Sequence, residues 1–489
     1  MRMDPTREAE RLLRRFARET NMTVAGRPME VHGDGPVADA LIQMLAAMGA
    51  RAASSSPADA ALTVDFDVAT GAITLGGAPL RERGDAAGRI DFARDHMRVS
   101  TGLAAELRGA GTVRGLRIGV AMTLEPKTAN LALLLADAGA EVAVYAHPDE
   151  TDPAVAAALR ERGVPCDADA TLEPRDERAA ALAFLRRGFD VLIDDGSHLT
   201  RLAHEEGLVD GWLGATEETT SGLTPLRAMQ RDGALATPVV AVNDAGTKTG
   251  FDNRYGTGQS CVLAIADLLD AADVSVRDQH ALVIGYGPVG VGVAAHLRAL
   301  GARVAVAEID PLRALLAAHD GYEVGAADAL AEGALVVSAT GVAATVTAHQ
   351  IRAARAVAVA GGVPGEIDLE HAVLGDALEP IAEHVEQLAD ARTIVLDRGG
   401  CINVTAAEGN PIEIMDLSFA TQLAAVRELV ETRPAVGVHA LSEAAVDHVA
   451  ATAARTRGIQ LAARSVRSSG APDHWRSPRY RISTEQETA

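Results

Sequence analysis

Aromatic residues make up only 3% of this 489-residue chain, although 48% of it is hydrophobic. Much of that apolar content is alanine, a balance that suits a helix-rich α/β enzyme better than a β-sandwich. Cysteine is scarce too: Cys166, Cys261 and Cys401 lie far apart in apolar or mixed surroundings. Their spacing offers neither a disulfide framework nor a metal site, so buried thiols in a reducing compartment are expected. Every long apolar run is broken by charge or glycine before membrane-spanning length. The opening MRMDPTREAERLLRRFARE is charged throughout and has no signal-peptide core, so a cytoplasmic protein without membrane contacts is expected. A formal net charge of −22, with no broad cationic stripe to offset it, argues against nucleic acid as a partner.

The length predicts two or three domains. The runs RIGVAM, EVAVYA, VLIDD, VVAVN, ALVIGYG, RVAVAEID, LVVSAT and AVAVAGG are short and apolar, as strands buried on both faces should be. They alternate with helical patterns such as TANLALLLADAG and AAHLRALGA, each closed by glycine. The pattern predicts an α/β fold of two doubly wound, Rossmann-like domains. Residues 1–85 read as a small, separate, appended α/β unit of unassigned role, with strand, helix, strand and a weak hairpin at TGAITLGG. The end of the chain, 456–489, is rich in Arg, Ser and Pro and reads as an extended tail.

ALVIGYGPVGVGVAAHLRALGARVAVAEID, residues 281–310, carries the most specific local signal. A strand leads into Gly285, Gly287 and Gly290, a helix follows, and the next strand ends on Glu308. The first two glycines permit a tight turn and close approach of a pyrophosphate to the helix N-terminus; the third lets helix and strand pack closely. Glu308 is placed to hold the adenosine ribose hydroxyls, and its carboxylate would repel a 2′-phosphate, so the cofactor expected is NAD.

VNDAGTKTGFDNRYG, followed after about thirty residues by GYGPVGVG, GARVAVAEIDP and GYEV, resembles the S-adenosylhomocysteine hydrolase (adenosylhomocysteinase) family. LIDDGSHLT, ATEETTSGL and PDHW fit the same family in order, and the resemblance runs from about residue 86 to the end. It implies a substrate domain at 86–250 and 411–455, a NAD domain at 251–410, a nucleoside-type substrate and a homotetramer or homodimer. The implied chemistry is transient oxidation of a ribose 3′-hydroxyl, loss of the C4′ proton and β-elimination of the 5′ substituent. By the same resemblance Lys248 and Asp252 sit at the sugar, with Glu218 and Asp195 as the other sugar and acid/base carboxylates. Lys248, desolvated beside a nicotinamide cation, is expected to have a lowered pKa. Thr219, Thr220, Ser221, Asn253 and Asn403 match cofactor-contacting positions.

The chain also departs from the family. In RIGVAMTLEPKTANLALLL the family's catalytic histidine falls on Thr123, or on Ala121 if the segment shifts by two, and is absent either way. Ungapped, a sugar-binding threonine becomes Glu125 and an adenine-side Glu or Gln becomes Lys127, charges expected to stand unpaired against ordinary adenosine. His198 replaces an acidic residue, Gly361-Gly362 and Gly409-Asn410 replace two Gly-His pairs, and Thr257 replaces a cysteine. Ala471 and Trp475 stand where a lysine and a tyrosine reach a neighbouring subunit's NAD, with Arg476 or Arg479 as a substitute cation. Thr123, Glu125, Lys127, His198 and Asn410 are thus candidate substrate contacts, and His198, His147 or Glu125 candidate acids at the 5′ group. The leading expectation is a divergent member acting on a nucleoside, possible as a dehydratase giving a 4′,5′-unsaturated product. The alternatives are a genuine S-adenosylhomocysteine hydrolase and a catalytically silent NAD-binding regulatory homologue.

Overall fold

All eight apolar runs form parallel strands in the computed structural model, which describes residues 4–54, 57–80, 83–363 and 365–462. Ala471, Trp475, Arg476 and Arg479 lie outside the described residues. One six-stranded sheet runs Gly437–Ala440, Pro238–Ala241, Gly214–Glu217, Val191–Asp194, Arg117–Ala121, Glu141–Tyr145, parallel throughout. An eight-stranded sheet runs Glu323–Val324, Arg303–Ala307, His280–Ile284, Leu335–Ser338, Ala356–Val359, Ile394–Leu396, Val385–Leu388, Leu378–Ala382, its last two pairings antiparallel. The fold is α/β with two doubly wound sheets. Gly214–Glu217 is a strand hidden inside the motif ATEETTSGL, because its glutamates mask the apolar run.

Strand order reverses in each sheet on one side of the first strand laid down, between it and the third strand in the six-stranded sheet and the fourth in the eight-stranded one. In the six-stranded sheet this happens between Arg117–Ala121 and Val191–Asp194; in the other, between His280–Ile284 and Leu335–Ser338. Adjacent loops diverge there, opening a crevice beyond the carboxyl ends of the strands, where ligands of such sheets bind.

Two crossings join the sheets. The outward one contains the short helix Gly246–Thr249, a π-turn at Asp252–Gly256 and the helix Thr257–Ala271. The return passes through 408–411 into Ile412–Thr432, a helix that packs on the six-stranded sheet. Helices Thr257–Ala271 and Pro288–Ala299 cross with backbones nearly touching: a Cβ on Gly258 would lie 2.7 Å from Gly292 Cα.

The N-terminal unit has its own four-stranded sheet, Met29–His32, Val64–Asp67, Ala72–Leu75, Ala78–Pro79. Its expected separateness is overturned. Helix Pro5–Thr20, capped by the Asp4 side chain, buries Ala9, Leu13 and Phe16 in a core shared with Cys261, Val262 and Leu269. Arg7 and Arg14 pair with Asp270 at 2.6 and 3.0 Å along the same seam. The sequence shows the amphipathic face of that helix and not its partner, which lies some 250 residues away.

Phe16→Ala should destabilise by about 3–5 kcal/mol. Because the core is continuous, urea unfolding should show the N-terminal unit and the NAD sheet melting together. An early, separate transition for the unit would contradict a shared core.

Candidate active site

Loops at the carboxyl ends of the six parallel strands carry most of the polar side chains singled out from sequence. Lys248 follows Pro238–Ala241 and is 3% exposed. Its ammonium meets Asp252 Oδ2 at 2.6 Å, one turn on, and donates to Asn253 Oδ1 at 3.0 Å. Burial alone would lower its pKa, but Asp252, Glu218 and Asp195 outweigh burial and hold it above the ordinary value. The protein's own charges thus oppose the lowering expected from sequence.

Glu218 ends the neighbouring strand loop and accepts from Ser418 Oγ and, at 2.6 Å, from Gln422 Nε2, both on the returning helix. Burial pushes its carboxyl up to about 7 against the pull of Lys248. Asp195 follows Val191–Asp194; burial raises its pKa, with Lys248 opposing and Asp252 adding to the rise. Ser418 and Gln422 were missed, because only the fold brings that helix under the rim.

The second crevice has the form a dinucleotide needs. Gly285 adopts φ +94°, and a Cβ on Gly290 would strike the Gly285 carbonyl. Gly287 caps helix Pro288–Ala299 without a side-chain partner, leaving first-turn amides for an anion. Glu308 accepts from the backbone amides of Tyr286, Ile309 and Asp310 at 2.6, 2.7 and 2.9 Å, so its carboxylate is fixed beside the glycine turn.

Asn410 links the two regions. Its amide nitrogen donates to Asp252 Oδ1 and, at 3.1 Å, to Thr257 Oγ1; its oxygen accepts from Asn403 Nδ2 at 3.0 Å. Thr219 caps helix Thr220–Arg231 and holds the Glu217 carboxylate at 2.7 Å, while Thr220 and Ser221 are exposed.

Two expectations at the other end of the rim need correcting. Glu125 and Lys127 are not unpaired charges. They meet at 2.6 Å, and Lys127 Nζ also donates to the Glu408 carbonyl at 2.8 Å and Asn21 Oδ1 at 3.4 Å. An ammonium has three donors, so none remains for a ligand. Glu125 meanwhile caps helix Pro126–Asp137 through the amides of Lys127 and Thr128. Both charges thus meet partners within the protein.

His198 is drawn towards its neutral form. Burial, with His147 and Arg201 beside it, lowers its pKa to about 4, so the ring is neutral near pH 7. His147 is held by Glu177 at 2.5 Å, its ring edge-on to Tyr145 and His198. Thr123, by contrast, lies at the rim beside Glu150, a residue the sequence reading passed over. Its position just after the strand Glu141–Tyr145 was the available signal, since such positions reach the crevice.

Lys127→Met should destabilise by about 3–5 kcal/mol, because Glu125 would be left buried and unpaired. Burial raises the Glu125 pKa, with Lys127 opposing. A raised folded-state pKa means stability is lost as pH rises, so denaturant titrations should show the variant's deficit growing from acid towards neutral pH.

Residues 253–409 match the family model described as "S-adenosyl-L-homocysteine hydrolase, NAD binding domain". The adenosylhomocysteinase of Archaeoglobus fulgidus is 38% identical over 359 residues, spanning 70% of this chain and 86% of the relative. That of Aeropyrum pernix is 36% identical, spanning 76% of this chain and 92% of the relative. The S-inosyl-L-homocysteine hydrolase of Methanosarcina acetivorans is also 36% identical, with 76% and 93% spanned. Identity at this level over most of both lengths, with the glycine turn and Glu308 in the matched domain, gives the cofactor as NAD, and the chain belongs to the adenosylhomocysteinase family.

Proposed function

We propose that the protein oxidises the 3′-hydroxyl of a nucleoside-type substrate transiently and then β-eliminates its 5′ substituent. The observation that carries this reading is the buried Lys248–Asp252 pair, with Glu218 and Asp195 around it, at the crossing into the NAD domain. NAD bound at the glycine turn supplies the hydride acceptor.

Asp252 and Lys248 bind the ribose hydroxyls, and the ammonium stabilises negative charge on the 3′-oxygen. Glu218, near 7, takes up the hydroxyl proton at neutral pH. Once C3′ is a ketone, the C4′ hydrogen is acidic, and Asp195 removes it. Burial favours a neutral carboxyl, so Asp195 holds that proton until it is returned. Asn410 couples Asp252 to Asn403, so sugar and cofactor sites close together. A silent regulatory role is disfavoured: a binding module has no need to bury a lysine among these carboxylates.

The names of the relatives favour hydrolytic cleavage of an adenosyl- or inosyl-type 5′-thioether. Thr123, at the position of the family's histidine, favours a second outcome in which nothing adds back and a 4′,5′-unsaturated nucleoside leaves.

With NAD and adenosine, inosine or their homocysteine thioethers in deuterated water, deuterium should enter C4′ of at least one, read by NMR. No exchange with any of them would defeat the reading. Glu218→Gln should slow cofactor reduction by about 10²–10⁴-fold. Because the base must be deprotonated, the wild-type rate should rise through about pH 7, and the variant should lack that limb.

A further inference from the structure

The rim of the six-stranded sheet arranges its groups in strand order. Lys248 follows Pro238–Ala241, Glu218 follows Gly214–Glu217, Asp195 follows Val191–Asp194, and Thr123 follows Arg117–Ala121. Glu150, after Glu141–Tyr145, is the next along that row. Asp195 stands midway in strand order, two strands from Lys248 on one side and two from Glu150 on the other.

Glu150 is pinned there by backbone. Its carbonyl accepts from Leu124 N–H at 2.8 Å, and Asp152 N–H donates to the Leu124 carbonyl at 3.0 Å. The turn Pro148–Glu150 therefore rides on the loop that holds Thr123. It also packs against helix Ile402–Thr405 of the NAD domain, which puts the turn where the two domains face each other.

β-Elimination breaks the C4′–H and C5′ bonds on neighbouring carbons, so the acid must lie one step beyond the C4′ base. If Lys248 marks the 3′ end and Asp195 the C4′ position, the next carboxyl in the row, beyond the Thr123 hydroxyl, faces the 5′ substituent. Resting on the oxidation–elimination reading, we propose that Glu150, beside Thr123, is the general acid that protonates the departing 5′ group. The C4′–H electron pair becomes the C4′=C5′ bond, the C5′ substituent leaves with its bonding pair, and it takes the Glu150 proton. Glu150 becomes a carboxylate. In the reverse sense that carboxylate accepts a proton from water as its oxygen adds to C5′.

The surroundings suit the task. Burial, then Asp195, push the Glu150 carboxyl up to about 7, while His147 and Thr123 pull it down and Asp149 pushes it up. Cys401, from the other sheet's loop, and Tyr145 also lie within its field. A carboxyl poised there can give and take a proton at neutral pH. The neighbouring imidazoles are less apt: His198 is neutral and His147 is bound to Glu177.

The test is Glu150→Gln in the full-length protein with bound NAD, reading C4′ exchange and 5′ release separately. Exchange should persist, while release of an alkylthiolate or hydroxide should fall by about 10²–10⁴-fold. A 5′-chloro substrate, whose leaving group needs no proton, should be released at nearly the wild-type rate. Wild-type release should decline above about pH 7, and Thr123→Val should move that decline to higher pH. Unaltered thiolate release in Glu150→Gln, equal slowing of chloride and thiolate, or loss of exchange in the variant would each overturn the acid role. Absence of exchange in the wild type would instead defeat the parent reading, and this one with it.

Discussion

A single buried ammonium sets the terms for the site. Asp195, Glu218 and Asp252 converge in a region nearly closed to water, and Lys248 is the cation among them. Removing such charges from water is expensive unless opposite charge and hydrogen bonds replace the solvent. The π-turn Asp252–Gly256 meets that demand by setting Asp252 and Asn253 against the lysine. The same turn begins the crossing to the NAD domain, so the electrostatics of the candidate site and the geometry of the crossing are one arrangement.

The N-terminal unit bears on both crossings. Asn21 accepts from the Ile412 amide at 2.8 Å and donates to the Glu408 carbonyl at 3.1 Å, on the return crossing. Gln259, on the outward crossing, bonds both the Val24 amide and the Met22 carbonyl, at 2.8 and 3.0 Å. Residues 21–24 thus tie both crossings together. The Glu125–Lys127 pair joins this knot through the Lys127 contacts to Asn21 and Glu408. Charges that read as a mismatch with the substrate serve to hold the chain's own segments.

Along the rim the chemistry has a direction. Lys248 and Asp252 stand at one end and Glu150 at the other, with Asp195 between. The Lys248 end keeps the residues of the family pattern, whereas the far end has Thr123 and Glu150. Relatives with adenosyl and inosyl names match the chain at similar identity.

The sequence by itself determined the strands, the helices between them and the NAD turn, because apolar periodicity and glycine spacing are local signals. It also offered Lys248, Asp252, Glu218 and Asp195 as a set, through the resemblance of their motifs to those of the family. Tertiary structure alone decided what those groups meet. The Ser418 and Gln422 donors to Glu218 lie about two hundred residues away. Glu125 and Lys127 could be read as charges but not as a pair, since two residues' separation at a helix start leaves their rotamers open. Asn21 and Glu150 gained meaning only when segments remote in the chain were folded against them. Pair distances and burial are properties of packing, and they fixed which carboxylates are near neutrality and which cation is already spent.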